Sequence, residues 1–164
     1  MCSSDLPYPG GPAIDRIAKE GNKEAVKFKR VLLDDGTYDF SFSGIKTAVL
    51  NYVNGERQAG REISVPDIAA SFQEAVLDVI VMKSVGAAVE NGEGKLVIAG
   101  GVAANSRLRE KLDYSCKKEG IRLCIPTPLM CTDNAAMIGA AGYYSYINGN
   151  VSDLSLDAVA HLPL

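Results

Sequence analysis

The sequence predicts an α/β fold with a pair of parallel strands in its second half, and three observations carry that expectation. In "KLVIAGGVAANSRLREKL", residues 95–112, a short apolar run from Leu96 to Ala99 leads into two glycines and then a helix start. The run is β-branched in its middle, as in a strand buried on both faces between helices. A second strand is expected at residues 121–125, after the intervening helix, and the overall order of helix, helix, strand, helix, strand, helix is that of an α/β domain.

The elements follow in order. Tyr8 to Pro12 reads as a turn between Pro-Gly and Gly-Pro, and a short helix is expected over roughly residues 12–20, closed by Gly21. Val26 to Leu33 alternates partly between apolar and basic residues. It reads as a half-exposed strand, with Asp34-Asp35-Gly36 as a turn and Tyr38 to Phe42 as the return strand of a hairpin. A helix beginning at Ser43 carries Ile45, Val49, Leu50 and Val53 and ends by Asn54-Gly55. Pro66 suits the first turn of the longest helix, residues 66–91. Its apolar set Ile68, Phe72, Val76, Val79 and Met82 (or Lys83) has helical spacing, and Asn91-Gly92 closes it. After the strand at 95–99 comes a helix over residues 104–119 with Leu108 and Leu112 on its apolar face, capped by Asn105 or Ser106. A proline-rich loop precedes a helix of small residues from Thr132 to Ile147, and the tail after Asn148 is irregular.

Whole-chain properties narrow the function classes. At 164 residues the chain is long enough for one hydrophobic core. A net charge of −3 argues against broad, salt-driven nucleic-acid binding by the whole chain. Two basic clusters stand out, Lys27, Lys29 and Arg30, and Arg107, Arg109 and Lys111, and such clusters are usually solvated faces. No apolar run approaches the roughly 18–20 residues of a membrane span, and the opening residues do not read as a secretion signal. Cys2, Cys116, Cys124 and Cys131 form no Cys-x-x-Cys pair, so buried thiols of a cytoplasmic protein are expected rather than disulfides or a zinc framework. The opening "MCSSDLPYPGGP" reaches a glycine- and proline-rich loop with no element before it. It predicts a chain that starts inside a larger protein, and leaves open whether the first six residues are native to the parent fold.

Four motifs offer chemistry, each beside a plainer role. Gly100-Gly101 joins a strand to a helix start, where free N–H groups and the helix dipole favour anions and nucleotides, or it is simply a tight turn. In "YPGGPAID", a glycine loop stands one helical turn before Asp15, whose carboxylate can accept ribose hydroxyls or merely favour a helix N-terminus. "DFSFSGIKTAV" sets Ser41, Ser43, Gly44 and Lys46 at a loop-to-helix junction, where capping is the simpler role. "CTDNAAMIGAAG" places Asp133 and Asn134 at a helix start; Asp133 is either an N-terminal acid or one metal ligand of several. His161, the only histidine, reads as a surface residue of the tail.

Together, "YPGGPAIDRIA", "DFSFSGIKTAV", "PDIAASFQEAV", "VIAGGVAANSRLR" and "PLMCTDNAAMIGAAGY" resemble the carboxyl-terminal half of the tRNA N6-adenosine threonylcarbamoyltransferase family, formerly labelled a glycoprotein endopeptidase. The resemblance covers residues 7–147, which it defines as a domain portion, with residues 148–164 as a tail. It implies the second half of an actin-like/sugar-kinase/chaperone ATPase fold, with the N-terminal domain missing. It further implies a threonylcarbamoyl-AMP substrate with Gly11 and Asp15 on the ribose side and Asn105 against the adenosine. Asp133 matches a ligand of a divalent metal, iron or zinc. The implied partners are tRNA and accessory proteins of a modification complex, with no membrane and a cytoplasmic location. The family's His-x-x-x-His metal pair and its glycine-rich phosphate loop do not occur here, so an inactive fragment is expected. A small-molecule kinase of the same fold lacks a matching sugar-site acid, a metallopeptidase lacks His-Glu-x-x-His, and a non-catalytic scaffold remains an alternative for the fragment.

Overall fold

The computed structural model describes residues 10–31 and 37–158. The chain divides into two compact units, Met1–Cys131 and Thr132–Leu164. Tyr8, the expected Asp34-Asp35-Gly36 turn and His161 lie outside the described residues.

In the first unit, α1 (Gly10–Ala18), α2 (Ser43–Gln58) and α3 (Val65–Glu90) precede β1 (Lys95–Val97), α4 (Ser106–Lys118) and β2 (Arg122–Cys124). The strands pair in parallel, with Lys95 opposite Arg122, Leu96 opposite Leu123 and Val97 opposite Cys124. The α4 crossover between them makes this a strand–helix–strand unit, as the sequence predicts.

Helix α3 is the centre of the unit and contributes to all three apolar clusters found among the described residues. Its C-terminal half packs Leu77, Val81, Val85 and Ala88 against Leu108, Leu112 and Cys116 of α4, with Leu96, Ile98 and Leu123 from the strands. Its middle meets Phe28 and the α2 residues Ile45 and Val53. Its start meets Ala18 of α1 through Ala69 and Ala70. Small residues on both sides let α1 and α3 approach closely. Gly21 is the tightest point, since a Cβ there would lie 2.0 Å from the Pro66 carbonyl oxygen.

Several sequence expectations need correction. The 26–42 hairpin is not formed, because residues 26–31 and 37–42 contain no strand. Their polar groups find α3 instead. The Val26 N–H donates to Ser71 Oγ, Arg30 pairs with Asp78, and Lys83 Nζ donates to the carbonyls of Thr37 and Asp39. The alternation in 26–31 reflects Phe28 buried in the core beside exposed basic residues.

Gly10 to Pro12 is the first turn of α1 rather than a loop, since a proline there removes an N–H that a first turn leaves unpaired. Helix α2 runs through Gly55 to Gln58 and stops where Gly60 takes φ +65°. The α3 apolar set is broader than one face, since Ala75, Leu77, Val81 and Val85 are buried while Met82 is exposed. That is the pattern of a helix surrounded by packed elements. Strand β1 is half-buried on one face only, at Leu96, which packs against the α3 and α4 cluster, while Val97 on the other face is 65% exposed. Cys116 and Cys131 are buried free thiols and Cys124 is half-buried.

The second unit contains α5 (Ala135–Ile147) and an irregular tail. Asn134 caps α5, accepting the Met137 N–H at 2.9 Å. Among the described residues, no helix is long and apolar enough to cross a membrane.

Candidate functional site

Strand β1 ends at Val97, and the chain reaches Gly100, whose φ of +85° only glycine adopts readily. A short 3-10 helix, Gly101–Ala104, follows before Asn105 caps α4. The α4 start is therefore two residues later than the spacing suggested, because Ala103 turns inward and is buried. Gly100 and Gly101 are exposed, and a Cβ on either would meet nothing within 4 Å. The turn thus faces open space rather than a closed core.

Three consecutive residues at the start of α4 are each fixed by a different partner. Asn105 Oδ1 accepts the Leu108 N–H at 2.9 Å, and Asn105 Nδ2 donates to Gln73 Oε1 at 2.9 Å. Ser106 donates to the Asp15 carboxylate twice over, from its backbone N–H at 3.3 Å and from its hydroxyl at 3.1 and 3.2 Å. Arg107 makes a bidentate pair with Glu74, Nε to Oε2 at 3.0 Å and Nη2 to Oε1 at 3.1 Å. Gly11 and Asp15 are four residues apart on α1 and so share a face. Asp15 and the Asn105 cap are thereby brought together, with Gly11 one turn along the same helix.

The charged partners extend the brace. Lys111 Nζ donates to Glu74 at 2.6 Å and also to Asp78, which in turn takes Arg30 at 2.7 Å. Burial alone would raise the Glu74 carboxyl, but hydrogen bonds and charge from Arg107 and Lys111 outweigh it and hold the group down at about 2. The same pair, led by the Glu74 hydrogen bond, raises the Arg107 guanidinium above its ordinary value. Arg109 donates to the Ala103 carbonyl at 2.6 Å, the Pro126 carbonyl at 2.7 Å and Cys131 Sγ at 3.1 Å. So Arg30, Arg107, Arg109 and Lys111 brace packed elements rather than standing free in solvent, whereas Lys27 and Lys29 are exposed, as expected of a solvated face. The bracing partners Glu74, Asp78 and Pro126 lie 17 to 48 positions away in sequence, which no local charge pattern reveals. Gln73 and Ser106 were likewise missed as site residues; buried polar Gln73 inside an apolar helical stretch was the available signal.

Asp133 belongs to the second unit, where it is exposed and precedes the Asn134 cap. Among the described residues, no group of three or more His, Cys, Asp or Glu side chains is placed to hold a metal ion. A lone carboxylate does not fit a tightly held transition metal, which needs several donors in one geometry.

Comparison with known proteins decides the family. The family model for tRNA N6-adenosine threonylcarbamoyltransferase matches residues 3–140. The chain belongs to that family. A relative of that name from Clostridium botulinum (strain 657 / Type Ba4) is 55% identical over 159 residues, which is 97% of this chain and 47% of the relative. One from Clostridioides difficile (strain 630) is 52% identical over 160 residues, covering 98% of this chain and 47% of the relative. A third, from Clostridium perfringens (strain ATCC 13124), is 50% identical over 159 residues. The chain spans about half the length of these threonylcarbamoyltransferases. The helices and small parallel sheet agree with part of the actin-like/sugar-kinase/chaperone ATPase fold.

Proposed function

We propose that this chain supplies the adenosine-binding part of an enzyme that modifies tRNA. That enzyme transfers the threonylcarbamoyl group of threonylcarbamoyl-AMP to the N6 amine of the adenosine beside the anticodon. The observation that supports this reading best is the convergence of α1 and the α4 cap, which sets Asp15 against the residue next to Asn105.

In this reading the open Gly11 backbone admits the ribose, and Asp15 accepts its hydroxyl protons with the lone pairs that Ser106 leaves free. Asn105 contacts the adenosine, and the Gly100-Gly101 turn leaves room for it. The tRNA amine attacks the carbamoyl carbonyl, the bond to the phosphate oxygen breaks, AMP leaves, and the amine loses one proton. Transfer is direct, and positioning with electrostatic stabilisation supplies the catalysis. Asp133 is one donor of a divalent iron or zinc site, with its other donors in the half of the relatives' length that this chain does not span. The accompanying proposals are tRNA and accessory complex proteins as partners, and a cytoplasmic location.

The test supplies threonylcarbamoyl-AMP and unmodified tRNA to the chain alone and to the chain joined to the upstream half of a relative. Modification is expected only in the joined protein. Transfer by the isolated chain would overturn the half-enzyme reading, and no transfer by the joined protein would remove the activity itself.

A further inference from the structure

Asn105 carries four hydrogen-bonding capacities, two lone pairs on Oδ1 and two N–H groups on Nδ2. The cap takes one lone pair for the Leu108 N–H, and this fixes which atom faces the helix. The cap alone leaves the nitrogen free to swing about that contact. Gln73 removes this freedom: its Oε1 accepts one Nδ2 proton at 2.9 Å. Gln73 is only 8% exposed, on the most deeply packed helix of the unit, and its neighbours on the chain are anchored as well. Ser71 holds residues 22–26, and Glu74 holds Arg107 and Lys111. The Gln73 side chain is therefore carried on a part of α3 that is fixed on several sides.

We propose that Gln73 is the positioning residue of the adenosine site, holding the Asn105 amide so that its one remaining N–H and one remaining lone pair have set directions for the ligand. The proposal rests on the adenosine reading above and gives a role to "PDIAASFQEAV", which that reading left without one. A hydrogen-bonding edge fixed before the ligand arrives discriminates better than one that must be ordered on binding. Gln73 touches no ligand in this scheme; it acts through Asn105.

The experiment titrates the 164-residue chain with adenosine alone, following the dissociation constant and the melting temperature. Gln73→Met keeps the length of the side chain and removes the acceptor, whereas Gln73→Glu keeps an acceptor oxygen. Gln73→Met is expected to weaken adenosine binding about tenfold, the cost of one lost hydrogen bond to a site group. Gln73→Glu is expected to stay within about threefold of the parent chain, a rescue that a purely structural role gives no reason to see. Parent-like affinity in Gln73→Met would overturn the role of Gln73 and leave the adenosine site standing. Absence of saturable adenosine binding by the parent chain would remove the site reading and this proposal with it. Should Gln73→Met fail to fold, nuclear magnetic resonance of the Asn105 side-chain amide in the parent chain decides. One N–H protected from exchange supports the proposal, and two freely exchanging ones overturn it.

Discussion

Asp15 and Ser106 stand 91 positions apart in the chain, yet the Asp15 carboxylate accepts both the backbone N–H and the hydroxyl of Ser106. This contact ties α1 to the first residue of α4 and sets the carboxylate beside the Asn105 cap. The backbone N–H belongs to the unpaired first turn of α4, so Asp15 acts as an external cap as well as a candidate ribose acceptor.

Two substitutions separate those roles. Asp15→Ala removes both and is expected to lower adenosine affinity at least tenfold, the cost of losing a charged acceptor. Ser106→Ala leaves the carboxylate and one of its anchors, and is expected to cost roughly two- to fivefold. Calorimetric titration with adenosine measures both. If Asp15→Ala binds adenosine like the parent and only melts earlier, Asp15 is a helix anchor and nothing more.

Gly21 controls how close α1 sits to α3. A Cβ there would lie 2.0 Å from Pro66 O, 2.3 Å from Pro66 C and 2.8 Å from Asp67 N, all of them backbone atoms that no rotamer change can move. The adjacent Asn22 N–H donates to Asp67 Oδ1 at 2.7 Å and fixes the same approach. Gly21→Ala is expected to destabilise the chain by about 2 kcal/mol or more, as overpacking against fixed atoms does. Because α1 carries Asp15, adenosine affinity should fall as well. Urea unfolding gives the first quantity, and a loss under about 0.5 kcal/mol would mean that the approach is not rigid.

The parts legible in the sequence are those with local signals. The apolar run before Gly100-Gly101 marked β1, and the parallel pair followed from a helix between two strands. Asn105 stood as a cap candidate because an Asn before an apolar-periodic segment satisfies the free N–H groups of a first turn. The hairpin expected at 26–42 failed for a physical reason. Alternation reports only that every second side chain faces a core, and here that core is α3, which also satisfies part of the backbone through Ser71 and Lys83. The brace around residues 105–107 was illegible, beyond the Asn105 cap itself, because its bracing contacts join distant positions, 32 apart for Asn105 with Gln73 and 33 for Arg107 with Glu74. A sequence shows that such groups exist. Only the fold shows which ones meet.

Glu74 makes stability depend on acid pH. Its folded-state pKa of about 2 lies below the ordinary 4.5, so its contribution is fully present above about 4.5 and is lost as pH falls through about 2. At about 1.4 kcal/mol per pKa unit that shift corresponds to roughly 3 kcal/mol of stability, reduced by solvent screening at the partly exposed cationic partners. Glu74→Gln removes the charge and leaves Arg107 and Lys111 poorly matched. The stability gap between parent and Glu74→Gln is therefore expected to be wide near pH 6 and to narrow steadily from about pH 4.5 towards pH 2. Urea midpoints across that range measure it. A gap constant with pH would show that the carboxylate gains nothing from its cationic partners.

Asp133 provides the last prediction, because it tests the proposed metal site, which this chain does not complete. Its carboxylate is exposed, and no cluster of metal-binding side chains surrounds it among the described residues. Tight retention of iron or zinc requires several donors held in one geometry, usually with imidazoles among them. The isolated chain, purified without chelator, is therefore expected to carry far less than one equivalent of either metal. Joined to the upstream half of a relative, it is expected to retain close to one equivalent, and Asp133→Ala in the joined protein should release it. Elemental analysis after gel filtration reads all three. A full equivalent on the isolated chain would mean that the donors lie within these 164 residues, and metal retained by the joined Asp133→Ala protein would return Asp133 to an acid at the start of α5.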